Sequence, residues 1–319
     1  MGPRRGWVVV PAYNEEEGLG RFVQDLAGTL SVLAATGRYE FTIHVVDDGS
    51  SDRTGAVIAE LSKNSSAPVA VSGTTLIRNF GHQAALIAGL LQAARGNADF
   101  AVTMDADGEH PPGIVPLLVE AWERGNVIVH TARRDAAGLS TAKRLMSRNY
   151  YRLLRRISGL EIMPGMADFK LWDGALLRQI EDSLPTCGST RALAAWLFPA
   201  GERIPYDQKV VPGRRSRYSA RKMLSLAAEG IVQHSELPLR LAILTGMASL
   251  LFALALGSFA IWAVIAGRTV PGWASTMIAI AVFSAAQSIS LGILGEYLLR
   301  NVFRRSRPRF IAGRHDLSP

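Results

Sequence analysis

The segment VTMDADGEHPP, residues 102–112, places Asp105 and Asp107 one residue apart, directly after an apolar run that is typical of a buried strand. A glutamate and a histidine follow within three residues. Carboxylates packed this closely repel one another, so without a counter-ion they should have raised pKa values or destabilise the fold. A divalent cation with oxygen ligands is the usual counter-ion. The segment therefore predicts a metal site at the end of a strand.

Two other apolar runs also lead into acidic sequence. The run WVVVP continues into PAYNEEE, and the run FTIHVVD continues into DDGSSD. Taken singly, the first is explained as the acid-rich start of a helix, and the second as a turn with a helix N-cap at Ser51 or Asp52. Three acidic strand ends in one sheet are hard to attribute to capping alone. We interpret them as one binding face.

The elements that must position these residues alternate along the first 130 residues. Short runs rich in β-branched and aromatic residues predict five strands, at 7–11, 41–47, 69–78, 100–105 and 127–131. Longer stretches between them predict helices within 15–35, 52–63, 81–95 and 113–124. This alternation predicts an α/β fold, with a mainly parallel sheet and helices on both faces. In such sheets ligands bind beyond the carboxyl ends of the strands, where the acidic segments lie.

The last third of the chain has a different composition. Between Leu241 and Gly295 the only charged residue is Arg268, which separates two uncharged runs. Each run exceeds the roughly 20 residues that span a bilayer, so two transmembrane helices are predicted. The alternative is a buried helical hairpin in a large soluble core. Arginines cluster before the first run and after the second, which predicts that both ends of the hairpin are cytoplasmic.

Charge and cysteine content exclude some classes of protein. The net charge of +8 would suit a nucleic-acid partner, but much of the excess flanks the two apolar runs, where anionic lipid explains it more simply. No nucleic-acid partner is expected. Cys187 is the single cysteine, which excludes an internal disulfide and a multi-cysteine zinc site. The first apolar stretch is too short for a signal peptide, so the N-terminal part is expected to be cytoplasmic.

Several segments together resemble one family of enzymes. They are VVVPAYNEEEGL, VVDDGSSDRT, RNFGHQAALIAGL, MDADGEHPP, ARRD, ADFKL, SRYS and GEYLLRNVFRRSRPRFI. The chain resembles a family-two glycosyltransferase of the A-type fold, in particular the membrane-anchored polyprenyl-phosphate glycosyltransferases. That group includes dolichyl-phosphate mannose synthases and undecaprenyl-phosphate glucosyltransferases. The matching segments cover nearly the whole chain in family order.

The resemblance implies a site for a nucleotide sugar. Pro11, Tyr13, Glu15 and Asp47 would form the pocket for the base and ribose. Asp105 and Asp107 resemble the family's D-x-D motif, whose carboxylates hold Mg²⁺ or Mn²⁺ on the donor diphosphate, and Asp105 would thereby also contact the donor. Glu109 stands where relatives commonly have glutamine, and we expect it to be a third metal ligand. If it points away from the metal, it is only a surface residue.

The resemblance also implies an acceptor site. Asp168, in ADFKL, matches the aspartate to which the family assigns the catalytic role, either as a base or as a group that orients the acceptor phosphate; a turn or N-cap aspartate is the alternative. Five basic residues are candidate partners of phosphate, since cations and above all the planar guanidinium group suit phosphate oxygens. These residues are Arg133, Arg134, Lys170, Arg191 and Arg217. Any one arginine could instead be an ordinary surface residue.

The predicted organisation follows from the resemblance and the apolar runs. A cytoplasmic catalytic domain covers 1–220, and within it 141–158 forms a basic amphipathic helix that lies on the membrane or packs on the core. A juxtamembrane interfacial segment at 221–238 leads into two transmembrane helices at 239–299. A basic cytoplasmic tail follows at 300–319.

The function expected from these features is inverting transfer of one sugar from a UDP- or GDP-sugar to polyprenyl phosphate. The enzyme would lie in the cytoplasmic membrane with its active site on the cytoplasmic face, as a homo-oligomer. One alternative is a processive polysaccharide synthase, but the chain has too few apolar helices for a translocation channel. Another is a non-catalytic membrane subunit, which the presence of Asp105, Asp107 and Asp168 argues against.

Overall fold

The computed structural model describes residues 2–133, 166–198, 201–207, 237–267 and 272–298. The described residues fall into two compact units. The first contains those up to residue 207, and the second contains the two ranges from residue 237 onward. The predicted helix at 141–158, nearly all of the juxtamembrane segment, the C-terminal tail, Arg134 and Arg217 lie outside the described residues.

A seven-stranded sheet forms the centre of the first unit, in the order β3-β2-β1-β4-β6-β5-β7. β6 is antiparallel to both of its neighbours, and the other neighbouring strands pair in parallel. The strands are β1 (Arg4–Ala12), β2 (Tyr39–Asp47), β3 (Val69–Thr75), β4 (Phe100–Thr103), β5 (Ile128–Arg133), β6 (Met166–Asp173) and β7 (Arg203–Tyr206). The predicted α/β class with a mainly parallel sheet is confirmed.

Helices cover both faces of this sheet. They are α1 (Leu19–Ala34), α2 (Thr54–Lys63), α3 (His82–Arg95), α4 (Val115–Glu123), α5 (Gly174–Gln179) and α6 (Thr190–Leu197). Two short 3₁₀ turns lie at Pro112–Ile114 and Leu184–Thr186. α1 to α4 lie within the four predicted ranges. The last of these ranges begins with the 3₁₀ turn at Pro112–Ile114, and the α-helix follows it.

Strand β1 shows why the sheet carries helices on both faces. Val8 and Val10 are buried in the core formed with α1 and α4, whereas Val9 between them is buried against α3. Successive side chains of a strand point to opposite faces, so a continuous apolar run needs cover on both sides. α1 meets this need with an apolar stripe at helical spacing that includes Phe22, Leu26 and Leu30.

Strand β6 is a strand that the sequence pattern did not predict. It contains Asp168 and Lys170, two charged residues that are buried in the structure, and buried charges are rare in strands. Thr103 of β4 pairs with Lys170 in antiparallel register, so the start of β6 lies beside the end of β4. This register carries Asp168 to the edge of the sheet at which the parallel strands end.

The second unit consists of two long helices, α7 (Leu237–Ile265) and α8 (Trp273–Leu298). Phe252 of α7 packs near Phe283 of α8, with 6.0 Å between the ring centroids. The hydroxyl groups of Thr245 and Ser290 lie 3.2 Å apart. Of the helices in the described ranges, none combines the length and the apolar character that are needed to cross a bilayer. The transmembrane hairpin stays a prediction.

Candidate active site

A cleft of about 300 Å³ opens in the first unit where β1, β2 and β4 end. Residues from four segments line it: Pro11 and Ala12 at the end of β1 with Tyr13 and Glu15 after it, Asp48 after β2, Asn79 and Gly81 before α3 with His82 as its first residue, and Asp105, Ala106 and Asp107 after β4. Three acidic segments that the sequence interpretation assigned to one binding face therefore meet at one edge of the sheet. Of the predicted donor residues, Pro11, Tyr13, Glu15 and Asp105 line the cleft, and so does Asp107 of the predicted metal ligands.

Other polar residues of the first two segments hold the loops together. The side-chain oxygen of Asn14 accepts a hydrogen bond from the Ser51 N–H at 2.9 Å, and the Asn14 N–H donates to the Ser50 hydroxyl at 3.0 Å. Glu16 accepts from the Arg53 N–H at 2.9 Å. These contacts fix the loop after β1 against the loop after β2, so part of the polar sequence here positions the cleft wall rather than a ligand.

The two aspartates at the end of β2 have different surroundings. Asp47, the predicted donor contact, is buried and accepts a hydrogen bond from the Ser50 N–H at 2.9 Å, which closes the turn. Asp48 lines the cleft and accepts from the Phe80 and Gly81 N–H groups at 2.8 and 2.9 Å. Burial raises the pKa of Asp48, and these two hydrogen bonds offset only part of the rise. The sequence interpretation named Asp47 and missed Asp48.

His110 fixes the backbone of the D-x-D segment. Its ring stacks on Phe169, with 5.0 Å between centroids, and its Nδ1 accepts the Asp105 N–H at 3.1 Å. A nitrogen that accepts carries no proton, so the neutral ring has its proton on Nε2. Asp107 in turn accepts the Glu109 N–H at 3.0 Å, across Gly108 with its positive φ of 75°. His110 therefore has a structural role, as a loop histidine would.

The carboxylate of Asp105 suits a cation. Burial raises its pKa, and the two histidines near it, His110 and His82, oppose that rise. Its Oδ1 is buried and makes no hydrogen bond within the described part of the chain, although His82 Nε2 lies 3.4 Å away. A buried carboxylate oxygen that is not satisfied by a hydrogen bond is the kind of donor that a hard divalent cation takes.

Of the three carboxylates predicted to hold a metal ion, two line the cleft. Asp105 and Asp107 share the cleft lining, whereas Glu109 is not among its lining residues. Among the described residues no group of three or more His, Cys, Asp or Glu side chains is arranged to hold a metal ion. Asp105 and Asp107 are oxygen donors of the kind that a divalent cation takes, and they would supply two of its ligands.

Asp168 is buried at the edge of the cleft and is held by three side chains. Its Oδ2 accepts from Arg191 at 2.7 Å and from Gln83 Nε2 at 3.0 Å, and its Oδ1 accepts from the Thr190 hydroxyl at 3.3 Å. Burial alone would raise the pKa of Asp168, but the charges of Arg191 and Lys170 outweigh burial and bring it below its ordinary value. The carboxylate is therefore ionised at neutral pH.

Gln83 and Thr190 were not among the predicted residues. The Gln83 side chain bridges α6 and β6. Its oxygen accepts a hydrogen bond from the Thr190 N–H of α6 at 2.9 Å, and its nitrogen donates one to Asp168 of β6. Gln83 lies in the first turn of α3 and Thr190 begins α6. The segment GHQ before an apolar helical run was the available signal, because polar residues at a helix start near a sheet edge can reach a ligand.

The basic residues predicted to bind phosphate are differently placed. Arg191 contacts Asp168 and its side chain is 42% exposed, whereas Lys170 is fully buried. Arg133 is exposed at the end of β5. His82, which the sequence interpretation gave no role, lies 3.4 Å from Asp105 and 3.9 Å from Asp168 and lines the cleft. His82 therefore lies between the Asp105 and Asp168 carboxylates.

Comparisons with known proteins agree on one class. The model of the family described as glycosyl transferase family 2 matches residues 7–180. An uncharacterized glycosyltransferase of Synechocystis sp., sll0501, is 32% identical over 92% of this chain and 89% of its own length. A prophage bactoprenol glucosyl transferase homolog of Escherichia coli is 29% identical over 96% of this chain and 98% of its own length. The chain belongs to glycosyl transferase family 2, as the sequence motifs predicted.

Solved structures show a more remote likeness. A mannosyl-3-phosphoglycerate synthase from Rubrobacter xylanophilus is 16% identical, with a TM-score of 0.44 over 73% of this chain and 72% of that chain. S. aureus TarS 1–349 in complex with UDP is also 16% identical, with a TM-score of 0.41 over 72% of this chain and 65% of that chain. Nothing about substrate or mechanism follows from likeness at this level.

Proposed function

We propose that the protein transfers one sugar, with inversion, from a UDP- or GDP-sugar to polyprenyl phosphate. The observation that carries the proposal is the meeting of the Asp105–Asp107 segment and the Asp168–Arg191 pair at one sheet edge, with His82 between them. One side offers carboxylates to a metal and the other offers a guanidinium to an anion. Relatives named bactoprenol glucosyl transferase, 28–29% identical over nearly the whole chain, support a polyprenyl acceptor.

The donor occupies the cleft in this proposal. Its base and ribose lie against Pro11, Tyr13 and Glu15, and its diphosphate lies at Asp105 and Asp107. Asp48 holds the loop that forms the far wall. Asp105 and Asp107 would hold Mg²⁺ or Mn²⁺. When bound, the metal neutralises the charge that develops on the nucleoside diphosphate as it leaves.

The acceptor side needs no strong base. One bond forms between a phosphate oxygen of the lipid and the anomeric carbon, while the bond from that carbon to the diphosphate breaks. The acceptor oxygen is already anionic, so no proton has to be removed. Asp168 is a weak base because its pKa is lowered and three side chains already donate to it. We infer that Asp168 orients Arg191, which binds the acceptor phosphate.

We propose that α7 and α8 form a hairpin in the cytoplasmic membrane, with the first unit and both termini on the cytoplasmic side. Arg268 is the only charged residue between Leu241 and Gly295, and arginines flank both ends of this region. Large apolar side chains of α7, including Leu251 and Ile265, are exposed. Burial against lipid and against other copies of the chain would cover such side chains, so a homo-oligomer is part of the proposal.

The test is a direct assay of the purified full-length protein. It is incubated with polyprenyl phosphate, Mg²⁺ and a panel of UDP- and GDP-sugars, and the lipid products are analysed by mass spectrometry. The proposal predicts a lipid heavier by one sugar residue for at least one donor. Products with many sugars would point to a polysaccharide synthase, and a protein inactive with every donor would contradict the proposal.

A further inference from the structure

Lys170 is the most unusual buried group in the first unit. It lies in the middle of β6 with 0% of its surface exposed, and its Nζ makes no hydrogen bond within the described part of the chain. An ammonium group removed from water costs several kcal/mol unless a nearby charge compensates it. A leucine or methionine would fill the same space without this cost. The position therefore needs an explanation other than packing.

The compensating charge is Asp168. Residues two apart in a strand share a face, so Asp168 and Lys170 lie on the same face of β6. The Cα atoms of such residues are roughly 7 Å apart. Their charges affect each other, since Lys170 lowers the pKa of Asp168 and Asp168 supports the charge of Lys170. Lys170 cannot reach an acceptor in the cleft, because it is fully buried. Its effect on the site has to pass through Asp168.

Lys170 is the second cation of a charged cluster that consists of Asp168, Arg191 and Lys170. Arg191, from α6, carries the first positive charge and hydrogen-bonds Asp168. His130 of β5 pairs with Lys170 in the sheet, and its Nε2–H donates to the Phe198 carbonyl at 3.0 Å. Burial lowers the pKa of His130 to about 4, so its ring is neutral. Thr103 of β4 and Trp172 of β6 are uncharged neighbours.

Arg203 of β7 also lies on this side of the sheet and acts on His130, whereas His82, 3.9 Å from Asp168, and Asp105 interact with Asp168 from the cleft side. Asp168, Arg191 and Lys170 together therefore carry one negative and two positive charges. Without Lys170 the charges of Asp168 and Arg191 would cancel. With Lys170 the cluster has a net charge of +1, next to the place that the proposed function gives to an anionic phosphate.

We propose that Lys170 is a positioning residue that acts through Asp168: its buried ammonium supplies the surplus positive charge that lets the Asp168–Arg191 pair bind the acceptor phosphate. The proposal rests on the proposed function for the identity of the acceptor. It replaces direct phosphate binding by Lys170, which the sequence resemblance suggested. It also gives the buried lysine a measurable consequence, because a change of charge at this position should alter acceptor binding and leave donor binding alone.

The first test compares Lys170→Met and Lys170→Arg with the wild type in full-length protein. Lys63→Met, at an exposed lysine of α2, is the matched control. In Lys170→Met the KM for polyprenyl phosphate should rise about tenfold or more, because a unit charge roughly 10 Å from an anion in a protein interior changes its binding by about this factor. The dissociation constant of the nucleotide should not change. Lys170→Arg should keep the acceptor KM within about threefold of the wild type, since the charge is retained.

The second test uses pH and does not depend on the methionine variant. Burial lowers the pKa of Lys170 to about 8, so its charge is lost as pH rises above that value. Arg191 stays charged and His130 stays neutral across this range. The acceptor KM of the wild type should therefore rise between pH 8 and pH 9.5, whereas that of Lys170→Arg should stay level. The same alkaline rise in both proteins, or in neither, would overturn the proposal.

A third measurement reports on Lys170 without any transfer assay. Asp168→Asn should lower the thermal melting midpoint more in the wild type than in Lys170→Met, because only the wild type then keeps a buried ammonium without its counter-charge. Equal shifts in the two backgrounds would show that the residues do not interact and would overturn the proposal. If the wild type transfers no sugar while this difference is found, the proposed function fails and the charge pair stands.

Discussion

At the scale of single residues, the proposed reaction depends on what the Asp168 carboxylate can do. Its carboxylate already accepts hydrogen bonds from Gln83, Thr190 and Arg191, and its pKa lies below the ordinary value for aspartate. A group with these properties holds its partners in place and takes up a proton poorly. The role assigned to Asp168 is therefore orientation of Arg191.

Asp168→Asn separates orientation from proton transfer. Turnover should fall at least roughly a hundredfold, because the charged hydrogen bond that positions Arg191 is lost. The variant should keep the pH profile of the wild type at a lower level, measured as kcat between pH 5.5 and pH 8. An acid limb present in the wild type and missing in the variant would instead identify Asp168 as a base. Nucleotide binding, measured by calorimetry, is the control and should be retained.

Asp107→Ala tests the metal. The variant should be nearly inactive, because one of the two carboxylates that would hold the cation is lost. Excess EDTA should also stop the wild type, and added Mg²⁺ or Mn²⁺ should restore it. Glu60→Gln, at an exposed glutamate of α2, is the control and should keep the activity of the wild type. Full activity of the wild type in excess chelator would contradict a metal-dependent reaction.

At the scale of elements, the antiparallel strand β6 brings the two halves of the site together. The parallel strands bring the segments that line the cleft together at their carboxyl ends, and β6 enters from that same edge, which brings Asp168 beside the segment after β4. α3 completes the arrangement by directing His82 and Gln83 from its first turn toward both carboxylates. The site therefore depends on how closely α3 packs on the sheet.

Gly89 sets that packing distance. A Cβ at this position would lie 2.2 Å from Val9 Cγ1 and 3.1 Å from Val46 Cγ2. Gly89→Ala should lower the free energy of unfolding by about 1–3 kcal/mol relative to a Gly→Ala change at a position where the new Cβ has free space. The reason is that extra atoms in a packed core are destabilising. Gly28→Ala in α1 is that control, since its Cβ meets nothing within 4 Å, and it should stabilise by about 0.5–1 kcal/mol. Denaturant midpoints of both variants measure the difference, and equal stability of the two would contradict the close approach of α3.

How much the sequence could predict depends on the element. The alternation of apolar runs and helical stretches predicted β1 to β5 and α1 to α4, since continuous apolar runs and amphipathic spacing follow from burial on one or two faces. β6 was missed because Asp168 and Lys170 interrupt its apolar pattern. Lys170 was predicted to bind phosphate from the family resemblance and its positive charge, and only the fold shows that it is buried. The role of Asp48 depends on the geometry of its loop, which a sequence pattern does not specify, and that of Gln83 depends on how α3 and α6 approach β6.

At the scale of the whole molecule, the chain joins an α/β unit with a cleft to a pair of long helices. A polyprenyl phosphate acceptor would explain this combination, because such a lipid stays in the membrane while the nucleotide sugar reaches the enzyme from water. The cytoplasmic position of the α/β unit is a proposal that rests on the arginines around the two apolar runs.

Topology can be measured by labelling. In intact cells tags at both termini should be protected from added protease, because both ends are expected to be cytoplasmic. A cysteine at Thr269, placed in a Cys187→Ser background, should react with an impermeant thiol reagent from outside. A second cysteine at Ser65, in the cytoplasmic unit, is the matched control and should react only after lysis. Labelling of the cysteine at position 65 without lysis, or cleavage of the tags, would contradict the proposed topology.

The most direct measurement of the central proposal is the linkage in the lipid product. Polyprenyl phosphate and polyprenol are each incubated with the full-length protein, the accepted nucleotide sugar and Mg²⁺, and the products are examined by mass spectrometry and ³¹P NMR. The predicted result is one added sugar on polyprenyl phosphate, conversion of its phosphate monoester to a diester, and no reaction of polyprenol. A glycosylated polyprenol, a sugar polymer, or a phosphate monoester that stays unchanged while donor is consumed would contradict it.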